Sequence, residues 1–256
     1  MKTDPAYPAL GLPNFRGLRA FYETELWVQL HEGLALVSSI VVQIVLLIFV
    51  RILAPALWPV AILGALVFSF FTLGQRVLNE AAYIRLDHKL NELYLTSPLT
   101  PESYFLGMSL GVLVAYLPPI LCIAVLTALT VSLPLATVAF LPFGLLAVWL
   151  FSSSLGYIAS TQFRDMRAIW SYASLLYNLF GVLPPVFYPI GLVPANLRLV
   201  VLVLPPSAAS SLAQWTLGAA TLSPFEVALA AVSLAAESLG VFAFAIYWAR
   251  RSVREN

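Results

Sequence analysis

One carboxylate stands alone in a long apolar run. Glu237 is the only charge between Glu226 and Arg250, where the chain reads VALAAVSLAAESLGVFAFAIYWA. Burial disfavours a charged carboxyl group, so Glu237 must take a proton or meet a cation. Two amides also sit in uncharged stretches: Gln43, one turn after Ser39, and Asn178, close to Tyr172 and Tyr177. Ser152, Ser153, Ser154, Tyr157, Ser160 and Thr161 form a further polar patch. Side chains of these types either line a solute path or join helices by hydrogen bonds. The densest charges lie elsewhere. Arg85, Asp87, His88, Lys89, Asn91 and Glu92 oppose an apolar stripe of Leu86, Leu90 and Leu93. That is the polar face of a short amphipathic helix, and a connecting loop does not need one. It suggests a docking surface.

No residues for covalent or hydrolytic chemistry accompany these groups. The chain has no phosphate-cradling GxxxxGK[ST] loop, no HExxH and no GxSxG. Cys122 is the single cysteine, and His31 and His88 have no ligand spacing, so no metal site is expected. The chain does not read as an enzyme. An energy source for uphill work would be an ion gradient or another polypeptide.

Composition says what must position these residues. Of 256 residues 61% are apolar and 10% charged, against roughly 25% charged in an ordinary soluble domain. Mean hydropathy is +0.92. A net charge of +1 offers no field for a nucleic acid. The expected class is all-α, a polytopic membrane protein.

A crossing helix needs about 20 apolar residues. Uncharged runs and proline breaks place span 1 at 33–51, span 2 at 55–77, span 3 at 103–130, span 4 at 134–161 and span 5 at 168–183. Pro205-Pro206 divides the next apolar run into halves too short to cross. Residues 193–217 are therefore expected to form an external re-entrant hairpin. Ser223-Pro224-Phe225-Glu226 reads as a capping box opening span 6 at 225–248. The turn between spans 3 and 4 is expected at Val131-Ser132-Leu133-Pro134. Before span 1, residues 14–31 carry Phe15, Leu18, Tyr22, Leu26 and Leu30 at helical spacing, which predicts an interfacial amphipathic helix. The charged loop predicts a cytoplasmic helix over 80–97. Basic residues fix the orientation. With six spans and both termini in the cytoplasm, all but Arg51 and Arg198 of the thirteen fall on the inner side.

Four segments, in this order, resemble the membrane subunit of a type-2 ATP-binding-cassette (ABC-2 type) exporter. The helix at 14–30 looks like that family's interfacial connecting helix. KLNELYLTSPLTPESYFLG (89–107) is similar to its coupling-helix loop and the start of its third span. FRDMRAIW (163–170) precedes span 5, and LPPVFYPIGLVPANLRLVVLVLPPSA (183–208) resembles the sequence near its external hairpin.

The resemblance implies a permease in the cell membrane moving a drug-like, lipid or glycan substrate outward. Two ATPase subunits would bind below, carrying the ATP and magnesium, and no cofactor would sit on this chain. A second copy or a similar permease would complete the pathway within the lipid. Arg85, Asp87, His88, Lys89, Asn91 and Glu92 would be the coupling residues. Spans 1 and 5 would face the partner, which makes Gln43, Tyr172, Tyr177 and Asn178 the path residues. Two other classes stand beside this one. A secondary carrier would use Glu237 as its proton site. A lipid-modifying enzyme would need an interfacial cluster of acids or histidines, which the chain lacks.

Overall fold

The computed structural model describes residues 15–31, 33–86 and 100–255. It is all-helical, 87% by residue, with no strand among the described residues. The helices are α1 (Phe15–His31), α2 (Gly33–Leu53), α3 (Trp58–Leu86), α4 (Pro101–Ala115), α5 (Leu117–Thr130), α6 (Leu135–Ser160), α7 (Met166–Val182), α8 (Ala195–Val203), α9 (Pro205–Leu217) and α10 (Pro224–Glu255).

Local chemistry sets the boundaries. The Thr100 hydroxyl accepts from Ser103 N at 3.3 Å and Pro101 opens α4, where the missing N–H costs nothing. Asp165 caps α7 by accepting from Arg167 N at 3.2 Å. At α10 the Ser223 hydroxyl accepts from Glu226 N at 3.2 Å, and Ser223 N donates to Glu226 Oε2 at 2.7 Å, a reciprocal capping box. Gly218, with φ +80°, ends α9 in the left-handed region that glycine tolerates.

Two proline-marked breaks bend the chain. Between α4 and α5 Tyr116 leaves the helical region just ahead of Pro118-Pro119, and the axes turn by 49°. Between α8 and α9 Pro205 holds Leu204 extended, and the turn is 111°. Only four residues join α5 to α6, 131–134.

Among the described residues three helical segments are long and apolar enough to cross a membrane: Pro55–Leu86, Leu135–Ser160 and Pro224–Arg251. The count reaches five if each bent pair is one span. α2 is 21 residues long with a single charge, Arg51, near its end. With 17 residues, α7 rises about 25 Å, less than the roughly 30 Å of hydrocarbon. Such helices are those of a multi-pass membrane protein.

α3 is the hub. Its most apolar window is 67% buried, against 28% for the other two long helices. α6, α7 and α9 pack against it. α6 and α10 instead turn apolar side chains outward, with Leu135 84%, Phe143 74% and Val232 65% exposed. In water such faces would be costly, but lipid solvates them. α1 lies along α4, with Leu26 against the core and Trp27 exposed.

At one end of the bundle several elements are tied together. The Arg85 guanidinium donates to the carbonyls of Ser160, at 2.5 Å, and Phe163, capping the end of α6. Trp248 Nε1 donates to Thr161 Oγ1 at 2.9 Å, and Arg250 of α10 pairs with Glu102 of α4. α3 ends and α4 begins at this end.

Candidate functional site

A half-open cavity of about 280 Å³ lies between α2, α3, α5 and α7. α3 supplies most of its polar wall. Ser69, Thr72 and Arg76 recur at three- and four-residue spacing and so share one face. Gln43 reaches in from α2 and Asn178 from α7, while Ile120 and Ile123 of α5 make the apolar wall with Phe68.

The hydrogen bonds show what is already spent. Ser69 Oγ donates to Gln43 Oε1 and shares its proton with Ala65 O, both at 2.8 Å. Thr72 Oγ1 donates to Ser69 O at 2.9 Å. The Gln43 amide nitrogen keeps its two donors without a partner among the described residues. Asn178 Nδ2 donates to Ser174 Oγ at 3.1 Å. The Arg76 guanidinium lies over the Tyr116 ring, 5.2 Å from its centre, a cation–π contact. No carboxylate lines the cavity.

Two of the four residues expected on the path, Gln43 and Asn178, therefore line one cavity, and two do not. Tyr177 is fully buried, its hydroxyl donating to Ser152 O at 2.8 Å and its ring 5.0 Å from Phe71. Tyr172 is 56% exposed and stacks on Phe163 at 5.3 Å. On α7 Asn178 faces the cavity, while Tyr177, about 100° further round the helix, points into the core. Tyr177 is a clamp between α7 and α6.

Glu237 lies half-buried on α10, away from the cavity lining. Arg85 is engaged with the end of α6, as described. The rest of the expected coupling set (Asp87, His88, Lys89, Asn91 and Glu92) lies outside the described residues. Residues 80–86, expected at the start of a separate helix, continue α3.

Arg76 is the site residue that sequence reasoning missed. It counts there only as one of the inner-side basic residues, at the very end of span 2 (55–77). The signal lay beyond it: Val77, Leu78, Ala81, Ala82 and Ile84 extend the helical pattern of buried positions, which keeps Arg76 inside a continuous helix.

No protein-family model and no curated protein matches this chain.

Proposed function

We propose that the chain is the permease subunit of an ATP-driven exporter in the cell membrane, with six spans and both termini in the cytoplasm. Separate ATPase subunits power it. One observation carries the reading. α3 is a single unbroken helix that bears the polar wall of the cavity at Ser69–Arg76 and leads straight into the charged segment at 87–99. A push on that segment is a push on the cavity wall.

The end ties support the same path. Arg85 links α3 to α6, and the Glu102–Arg250 pair links α4 to α10, so both exits of the segment are coupled to other long helices. Closure of a nucleotide-bound ATPase pair would then bias the bundle between inward- and outward-facing states. α2 and α7 flank the cavity and carry exposed apolar side chains, Phe49 at 58% and Leu175 at 63% among them. A second copy set against these helices would close the pathway. The bent α8–α9 pair fits the external re-entrant hairpin, and α1 the interfacial helix.

The test is purification of the tagged chain from its native membranes. The permease reading expects an ATPase polypeptide to co-purify at one copy per chain, with magnesium-dependent ATP hydrolysis in the same fraction. A chain that is pure, folded and without any hydrolysing partner would contradict it.

A further inference from the structure

We propose that the Arg76 cavity binds the anionic head of a membrane amphiphile, a phosphate or carboxylate group on an apolar tail, and that such molecules are what the protein moves. The second clause rests on the permease reading; the binding site does not.

Charge comes first. Among the described residues the ion pairs are Arg19–Glu23 and Arg250–Glu102, and Arg76 belongs to neither. Its described contact is with the Tyr116 ring, 5.2 Å from the guanidinium carbon to the ring centre, and no hydrogen bond to an acceptor is described for it. A planar fork of donors suits phosphate and carboxylate oxygens. The two free donors of Gln43 line the same cavity beside Ser69, about two turns of α3 further in. With no acid in the lining, an anion meets attraction and a cation does not.

Depth agrees. At the opposite end of α3, Arg51 lies over the Trp58 ring at 5.2 Å, an arrangement suited to a membrane–water boundary. Arg76 is about five turns, or about 27 Å, further along the helix, close to the thickness of the hydrocarbon layer. The guanidinium thus stands at headgroup level on the other side. Deeper in the layer Phe68, Ile120 and Ile123 add an apolar wall opposite the Ser69–Gln43 pair. The volume, about 280 Å³, lies just below the usual range of roughly 300–1,000 Å³ for drug-sized ligands. The cavity suits a headgroup and the first part of a tail, the remainder leaving through the open side.

The experiment uses the full chain in a nonionic maltoside micelle, with dodecyl phosphate carrying a photoactivated diazirine at mid-tail as probe. Labelling should fall on the peptide containing Ile120 and Ile123. Unlabelled dodecyl phosphate should compete, whereas dodecyltrimethylammonium and inorganic phosphate at equal concentration should not. Arg76→Gln should weaken binding by about 10- to 100-fold, the loss expected for a charged hydrogen bond, and Arg76→Lys should restore most of it. Equal competition by the cationic amphiphile overturns the proposal, as does competition by inorganic phosphate alone. Unchanged labelling of Arg76→Gln also overturns it. If that variant does not fold, the competition series on the unaltered chain still decides. Because no ATPase is present, labelling can succeed where ATP-driven transport is absent, and the two readings fail separately.

Discussion

Gly74→Leu should leave almost no folded protein in a detergent extract. A Cβ at Gly74 would fall on the Ser152 carbonyl, and one at Gly156 would fall on the carbonyl of Gly74. α3 and α6 cross with their backbones in contact, so the obstruction is not a side chain that can rotate away. The Tyr177 hydroxyl fills the remaining space and bonds to the same Ser152 carbonyl. Separating the two helices breaks that bond and opens the buried setting of Tyr177. Overpacking usually costs about 1–3 kcal/mol, and a backbone contact at the hub of the bundle belongs at or above the top of that range. A melting midpoint lower by ~10 °C is the expected reading for any fraction that folds. Gly240→Leu is the control, since nothing lies within 4 Å of a Cβ there. It should melt as the unaltered protein does.

Reversing three charges together, Asp87→Lys, Lys89→Glu and Glu92→Lys, should lower ATPase stimulation in the assembled complex by about 10-fold or more. Opposed like charges at an interface cost several kcal/mol, and about 1.4 kcal/mol is a factor of ten. The described ties of the bundle at this end run through Arg85, Glu102, Thr161, Trp248 and Arg250, and a melting curve of the triple variant separates loss of coupling from loss of fold. Arg85→Ala should behave in the opposite way. It strips the Ser160 and Phe163 carbonyls of their donor and should cost about 2–3 kcal/mol of stability. The complexes that do fold should still couple. ATPase rate and melting midpoint, measured on all variants, separate the two roles; unchanged stimulation in the triple variant would count against the docking surface.

The features legible in the sequence are those whose cause lies within a few residues. Ser223 and Glu226 cap each other across one turn, and Pro205 acts on its own neighbour, Leu204. The Val131–Pro134 connection likewise needs only a proline and a β-branched residue. Side chains that find partners across the bundle are different. Nothing beside Tyr177 in the chain points to Ser152, and nothing beside Arg85 points to Ser160 or Phe163. Charge counting also ends span 2 just past Arg76 and sets Arg85 on a separate helix, because a basic residue after an apolar run looks the same whether its helix stops or continues. Packing of Val77 to Ile84 against the core makes it continue. Of the site, the two amides Gln43 and Asn178 were readable as polar groups in apolar runs. The cation that shares their cavity, Arg76, was not.

The central claim is that this chain forms a pathway and draws its power from another polypeptide. Reconstitution tests that most directly: proteoliposomes holding the purified chain alone, compared with proteoliposomes that also hold its ATPase, assayed for accumulation of an anionic amphiphile. The account requires accumulation only with the ATPase and magnesium-ATP present, and none from the chain alone under a pH gradient. Uphill movement by the chain alone, lost in Glu237→Gln, would contradict it and assign the driving force to a proton.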